Sequence, residues 1–182
     1  MNLLNLLNLL NKIIKMNFNI SEHIPSDFHP DSRVWIYQSN RTFTSTEATE
    51  IKLLLNEFAS NWTSHGAKVK GFGTVILDTF ILFLADETAT GVSGCSTDSS
   101  VKLVKEIEKK FDVELFNRQR MAFWVDENIF QIPLNELKSA LDNQVISTDT
   151  LYFNNTILSK KELEHNWITV LNTSWLGLKI NS

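Results

Sequence analysis

The stretch KVKGFGTVILDTFILFLAD, residues 68–86, decides how the first half of this chain folds. Apolar runs lie on either side of Asp78, and each run has the length of one strand. Such a pair around a short polar break predicts a β-hairpin. The second run, TFILFLAD, is nearly continuous in apolar side chains, which is typical of a strand covered on both faces. We therefore expect it to lie at the centre of a sheet.

A strand and a helix precede this hairpin. In RVWIYQ, residues 33–38, Val and Ile alternate with Trp and Tyr, as expected of a strand. Thr44 and Glu47 fit a capping box, and apolar residues follow at helical intervals. Gly66 is the type of residue that commonly follows the end of a helix. The pattern predicts a helix over residues 45–64.

A second helix and a further strand follow the hairpin. Asp98 or Ser99 can cap a helix that continues to Phe111, and VELF at 113–116 alternates like a strand. The order strand, helix, strand, strand, helix, strand predicts a ferredoxin-like α+β domain over residues 30–117, with both helices on one face. Asp86 and Glu87 end the central strand, and we expect both carboxylates to be solvated.

From Met121 the pattern restarts, which indicates a second small domain over residues 118–182. MAFWVDENIFQIP predicts a hairpin about Glu127-Asn128, and Asn135 is expected to cap a short helix. TLYF predicts a short strand. A last helix is indicated by the capping box of Ser159 and Glu162.

Residues 121–176 resemble small GYF-like modules. The resemblance lies in Pro133-Leu134, Glu136-Leu137, Ile146, Asp149-Thr150-Leu151 and Tyr152-Phe153. The Gly-Tyr-Phe signature itself is absent, and Gln144 stands where such modules commonly carry glycine. The resemblance implies an αβ unit that binds a protein partner, such as an extended peptide, through an aromatic groove formed by Trp124, Tyr152 and Phe153.

Composition limits the classes of function. Seventeen basic and 21 acidic residues give a net charge of −4, which disfavours bulk nucleic-acid binding. One cysteine cannot form an internal disulfide, so we expect a reducing, cytoplasmic compartment. No clustered ligands predict a metal site, and we expect no cofactor. The start of the chain, within residues 1–29, repeats Asn-Leu-Leu and is expected to be a partly disordered leader; it lacks a secretory pattern and is too short to span a bilayer.

The segment ATGVSGCSTDSS, residues 89–100, is the main candidate for a ligand site. A P-loop needs a lysine directly after its last glycine, and none follows Gly94 before Lys102, which excludes an autonomous P-loop ATPase. A helix N-terminus still attracts anions. The candidate ligand-binding residues are Gly91, Ser93, Gly94, Ser96, Thr97, Ser99 and Ser100, with Arg118 and Arg120 as further cationic candidates. The alternative is that Asp98 or Ser99 already satisfies the helix as its N-cap.

Two pieces of sequence also resemble a small uncharacterised bacterial family that is often labelled "ABC transporter ATPase". They are Ser93-Gly94-Cys95-Ser96 and Trp35-Ile36-Tyr37-Gln38-Ser39. The first is loosely similar to the signature loop of ABC ATPases. That loop acts against a nucleotide held by another subunit's P-loop, and this chain has neither a P-loop nor a Walker B strand. The label therefore does not imply ATP hydrolysis here.

Cys95 is the one candidate nucleophile of this segment. A helix N-terminus favours the thiolate, and a nearby histidine would activate it further. Four histidines are present, but no motif spacing ties any of them to Cys95. The alternative is a small buried hydrophobic residue.

These patterns favour a non-catalytic protein-interaction or adaptor module as the function. The alternative is a ligand-binding or nucleotide-binding protein or an enzyme that uses the 91–100 loop, either as an anion site or through Cys95.

Overall fold

We describe a computed structural model, which defines Met16 and residues 18–180. The chain divides into two compact units. A large unit contains residues 20–117 and 155–164, and a small unit contains residues 118–154 and 165–180 with Met16 and residues 18–19. The predicted leader, apart from Met16 and residues 18–29, lies outside the described residues. Both units mix helices with antiparallel strands, which confirms the α+β class.

The elements are numbered in chain order. The strands are β1 (Arg33–Gln38), β2 (Thr63–Ser64), β3 (Ala67–Lys68), β4 (Lys70–Ile76), β5 (Phe80–Asp86), β6 (Arg120–Val125), β7 (Asn128–Pro133), β8 (Leu151–Phe153) and β9 (Ile168–Val170). The α-helices are α1 (Ser45–Asn61), α2 (Gly94–Phe111), α3 (Leu137–Asp142), α4 (Lys160–Asn166) and α5 (Trp175–Ile180).

The large unit is built on the predicted hairpin. β4 and β5 pair antiparallel from Lys70↔Asp86 to Ile76↔Phe80, and β1 pairs with the other edge of β5. The sheet order is β1-β5-β4, so β5 is central as predicted. Every residue of β5 is buried, which explains its nearly continuous apolar sequence.

Both long helices of the large unit pack on one face of this sheet, as expected. The apolar stripe of α1, which includes Ile51 and Leu55, and that of α2, which includes Val104 and Ile107, share one core cluster. The strand residues of that cluster are Tyr37, Val75, Ile81 and Phe83, which point to the same side of the sheet. The core therefore holds both helices against the same face of the sheet.

The predicted strand at residues 113–116 is wrong. Val113 and Leu115 are buried in the same core, which produces the strand-like alternation. The backbone of Glu114 bonds only to Asn40, beyond the end of β1: Asn40 N–H donates to Glu114 O, and Glu114 N–H donates to Asn40 Oδ1. Within the described residues the main sheet of this unit therefore has three strands, and the fourth strand of a ferredoxin-like sheet is not formed.

The small unit contains a sheet of order β7-β6-β8-β9. The predicted hairpin of β6 and β7 is confirmed, but its turn is Asp126-Glu127, both with left-handed φ (47° and 63°). Asn135 does not cap α3; it lies in a short 3-10 turn, and the residue before α3 makes no side-chain cap hydrogen bond. The strand β8 is confirmed. β9 and α5 were not predicted.

The capping box before α4 is confirmed. Glu162 N–H donates to Ser159 Oγ at 3.4 Å, and Ser159 N–H donates to a Glu162 carboxylate oxygen at 3.2 Å. Within residues 16 and 18–180, no helix has both the length and the apolar character that a bilayer crossing requires.

One pH-dependent contribution to stability arises at the start of α1. The capping box of Thr44 and Glu47 is formed, and the Arg41 guanidinium holds the Glu47 carboxylate with two bonds of 2.8 Å. Arg41, and then the Thr44 N–H, lower the pKa of Glu47 from 4.5 to about 2. A lowered folded-state pKa stabilises the fold above the unfolded value and loses that effect as pH falls.

We expect Glu47→Gln to be less stable than the wild type at pH 7 and to approach it as pH falls from 4.5 towards 2. Glutamine keeps an acceptor for the Thr44 N–H but removes the charge that pairs with Arg41. Urea unfolding at several pH values measures this. Glu57→Gln, on the same helix, is the control, and a stability difference that stays constant with pH would contradict the assignment.

Candidate functional site

A pocket of about 470 Å³ opens in the large unit where α1 ends and α2 begins. Its walls combine aromatic rings, hydroxyl groups, one imidazole and one thiol. They are formed by Phe58, Asn61, Trp62, Thr63, His65, Ser93, Cys95, Ser96 and Ser99. Among the candidate ligand residues, Ser93, Cys95, Ser96 and Ser99 therefore meet at one place.

The start of α2 differs from the prediction and places Cys95 at the helix end. Ser93 is the N-cap, and its Oγ accepts the N–H of Ser96 at 3.3 Å. Asp98 and Ser99 are not the cap; they lie inside the helix. Asp and Ser are both favoured N-cap residues, so the sequence alone did not distinguish Asp98 or Ser99 from Ser93, the N-cap that the structure shows. Cys95 thus lies in the first turn and is exposed, so the alternative of a buried thiol is wrong.

The opposite wall comes from the end of α1. The helix stops at Asn61, earlier than predicted, because Trp62 takes an extended conformation and starts the short β2–β3 hairpin. The turn of that hairpin is His65-Gly66, with φ of 50° and 83°. Both residues are left-handed, as two-residue hairpin turns require. The tight turn directs His65 into the wall of the pocket.

Three hydrogen bonds join the two walls on either side of Cys95. The Trp62 indole N–H donates to Ser96 O at 3.0 Å, and Ser96 Oγ donates to Thr63 O at 2.9 Å. The Ser93 N–H donates to Ser64 Oγ at 3.2 Å. Trp62, Thr63 and Ser64 directly precede His65. They are therefore bonded to Ser93 and Ser96, which lie on either side of Cys95.

A glycine in β4 makes this junction possible. A Cβ atom at Gly71 would lie 2.7 Å from Trp62 Cε3, which is closer than carbon atoms approach. Trp62, only 2% exposed, fills that space and contacts the rings of Trp35, Phe58 and Phe83. The aromatic cluster behind the pocket depends on this close approach.

The electrostatics of the pocket come from the helix end and not from charged side chains. Within the described part of the chain, the backbone N–H groups of Gly94 and Cys95 have no hydrogen-bond acceptor. They lie at the positive end of an 18-residue helix. Within Met16 and residues 18–180, no carboxylate, lysine or arginine lines the pocket. Among the described residues no hydrogen bond joins the Cys95 thiol to His65, although both line the same space.

The loop that leads into α2 is ordered by acids at the end of β5. Asp86 is buried, at 4% exposure, so its predicted solvation is wrong. The Thr88 hydroxyl and N–H, with the His29 N–H and Lys70, lower the pKa of Asp86 well below its ordinary value. Glu87 is exposed as expected, and its carboxylate accepts the Val92 N–H at 2.7 Å.

The other ligand candidates lie outside the pocket lining, and several candidate hydroxyl groups, including that of Ser99 in the lining, already donate a hydrogen bond. Gly91 is exposed, and a Cβ atom added there would have no described atom within 4 Å apart from its chain neighbours. The hydroxyls of Thr97, Ser99 and Ser100 donate to helix carbonyls three or four residues before them. Arg118 and Arg120 belong to the small unit.

The three predicted partner-binding aromatics are placed unequally. Trp124 is half-buried, whereas Tyr152 and Phe153 are 2% and 1% exposed. Burial raises the pKa of Tyr152 to about 12, and Phe153 packs edge-on against Trp167 at 5.4 Å between ring centroids. Both rings belong to the interior of the small unit, so of the three residues of the predicted groove only Trp124 is partly exposed.

The exposed apolar residues of the small unit were not predicted. Trp175 and Leu178, one turn apart on α5, are 39% and 71% exposed. A second pocket, of about 570 Å³, is lined by Leu141, Asp142, Gln144, Val145, Ile146, Ser147, Thr148, Thr150 and Ile180.

Sequence reasoning found Cys95 and the serines but missed His65 and Trp62. Their approach to Cys95 depends on where α1 ends and on the glycine in β4, and no spacing in the sequence reports it. Across the described residues, no group of three or more His, Cys, Asp or Glu side chains could hold a metal ion. Comparison with protein-family models, curated proteins and solved structures found no match to this chain.

Proposed function

We propose that the protein binds a small ligand in the pocket at the start of α2 and acts on it through the Cys95 thiol. The observation that carries the proposal is that an exposed thiol and an imidazole line one pocket at the positive end of a long helix. Helix N-termini and neighbouring imidazoles are the surroundings that favour a reactive thiolate. This is the enzymatic or ligand-binding function that the sequence left as its alternative.

The chemistry that fits is addition of the Cys95 sulfur to an electron-poor carbonyl carbon of the ligand: the S–C bond forms as the π bond of the C=O group opens onto its oxygen, and His65 accepts the thiol proton. The Gly94 and Cys95 N–H groups would stabilise negative charge that develops on the ligand during attack. The aromatic wall of Phe58 and Trp62 would contact its apolar part. Because no lysine or arginine among the residues that the structure describes lines the pocket, a highly charged ligand such as a nucleoside triphosphate does not fit this proposal.

Alkylation of Cys95 by iodoacetamide, followed by intact mass, tests the proposal. We expect Cys95 to react faster at pH 6.5 than glutathione does under the same conditions. We expect His65→Gln to slow the reaction by about tenfold or more, because glutamine cannot accept the thiol proton as the imidazole does.

His165→Gln is the matched control, because His165 is exposed in the small unit and does not line the pocket. Its alkylation rate should equal that of the wild type. A rate for Cys95 no greater than that of glutathione, or an unchanged rate in His65→Gln, would contradict a reactive thiol.

A second candidate function is protein binding by the small unit, the function that the sequence favoured. The exposed pair Trp175 and Leu178 supports it, since apolar side chains at neighbouring exposed positions are typical of contact surfaces. The GYF-like resemblance and the cytoplasmic location remain predictions alongside it.

Affinity capture with Leu178→Ser tests this second candidate. Leu158→Ser is the matched control, because Leu158 is equally exposed at 71% but lies in the large unit. A partner identified with the wild type should be lost with Leu178→Ser and kept with Leu158→Ser. Equal recovery with both variants would count against binding through α5.

A further inference from the structure

One buried carboxylate connects two separate segments of the large unit. Asp86, at the end of the central strand, uses its two oxygens differently. Oδ1 accepts the Thr88 N–H at 3.2 Å and the Thr88 hydroxyl at 2.7 Å. Oδ2 accepts the His29 N–H at 3.3 Å and lies 3.3 Å from Lys70 Nζ.

The Oδ2 side holds a strap, residues 20–32, which precedes β1. Lys70 donates to Asp27 O at 2.6 Å, pairs with the Asp27 carboxylate at 3.0 Å and lies 4.7 Å from the centre of the Phe28 ring. Phe28 packs edge-on against Phe72 of β4. The strap is thus fixed to β4 and β5 chiefly at residues 27–29.

The Oδ1 side holds the loop that ends at the Cys95 pocket. The bonds from Thr88 fix the first residues of the 87–93 loop, and the bond from Val92 N–H to Glu87 fixes its last residues. The next residue, Ser93, is the N-cap of α2 and lines the pocket. Asp86 therefore fixes the start of the loop directly, and the end of the loop is fixed by Glu87, the next residue along the chain.

We propose that the strap is coupled to the Cys95 pocket through Asp86, so that release of residues 27–29 loosens the 87–93 loop and changes the reactivity of Cys95. A buried carboxylate that loses the His29 N–H and Lys70 has lost half of its partners. Its charge is then poorly compensated, and the carboxylate turns towards solvent or other donors. Either movement breaks the bonds to Thr88. The strap is a regulatory element of the site, and its effect on reactivity rests on the proposed function of Cys95.

Amide hydrogen exchange in Lys70→Met tests the coupling without use of Cys95. We expect exchange at Thr88 and Val92 to become about tenfold faster, as the loss of one or two hydrogen bonds of this kind would produce. Cys95 alkylation should change in the same variant. Faster exchange in the loop with an unreactive Cys95 would uphold the coupling and contradict the proposed function alone.

Lys161→Met is the matched control. Lys161 also ties the strap, through the Asp31 carboxylate at 2.6 Å, and its side chain pairs with that carboxylate instead of Asp86. Exchange in the 87–93 loop should equal that of the wild type. If Lys70→Met does not fold, Phe28→Leu loosens the strap from Phe72 and is measured in the same way. Faster exchange in the strap with an unchanged loop, in either variant, would overturn the proposal.

Discussion

Replacing Trp62 with alanine is expected to lower the free energy of unfolding by about 3–5 kcal/mol, the range for removal of a large buried aromatic side chain. The same change should disorder the Cys95 pocket. Trp62 is 2% exposed, contacts three other rings and donates to Ser96 O in the first turn of α2. The loss combines a cavity with the removal of one hydrogen bond at the start of α2; Ser96 O keeps the Ser99 hydroxyl as a donor. Urea unfolding and the rate of Cys95 alkylation measure the two consequences.

Two variants separate these contributions. Trp62→Phe keeps an aromatic ring but removes the indole N–H. It should lower the free energy of unfolding by about 1 kcal/mol more than a conservative core substitution does, and it should still alter the rate of Cys95 alkylation. Trp124→Ala removes a half-buried tryptophan of the small unit and should leave Cys95 alkylation unchanged. An unaltered alkylation rate in Trp62→Ala would show that the junction between α1 and α2 does not control the pocket.

Gly177→Ala is expected to destabilise the small unit by about 3 kcal/mol or more, as overpacking against a fixed backbone does. A Cβ atom there would lie 2.3 Å from Leu171 O and 2.9 Å from Asn172 Cα, and neither backbone atom can move away easily. The sign of the change in the free energy of unfolding identifies its cause, because replacing glycine with alanine inside a helix otherwise stabilises a protein by up to about 1 kcal/mol. Thermal or urea unfolding followed by tryptophan fluorescence measures the change.

Gly91→Ala is the control for this prediction. Gly91 has nothing within 4 Å of an added Cβ atom and lies in an exposed loop, so its stability should stay within about 0.5 kcal/mol of the wild type. A Gly177→Ala protein as stable as Gly91→Ala would mean that α5 does not pack against residues 171–172 in solution.

The regular elements of the large unit followed from periodicity. The hairpin of β4 and β5, the central position of β5 and the capping box of α1 each depend on residues close in sequence, so their patterns were sufficient. VELF failed because Val113 and Leu115 alternate towards the core without a neighbouring strand to pair with. Alternating burial is necessary for a strand on a sheet surface but does not create its hydrogen bonds.

The candidate site was predicted only in part. Cys95 and the serines around it attracted attention as a glycine-flanked segment before a helix. His65 lies thirty positions away by number and reaches the pocket only because Trp62 ends α1 and packs over Gly71. The burial of Tyr152 and Phe153 could not be predicted from the sequence either, because aromatic residues occur both in protein cores and at contact surfaces.

The return of residues 155–164 to the large unit bears on how the protein can be divided for experiments. In that return segment, Leu158 O accepts the Val34 N–H at 3.0 Å, and the Lys160 N–H donates to Ser32 O at 2.9 Å. An expressed fragment that stops at Asn117 would lack these partners along the outer edge of β1. A bare strand edge tends to pair with another chain, so such a truncated fragment should self-associate, whereas a version that regains 155–164 through a short tether should stay monomeric.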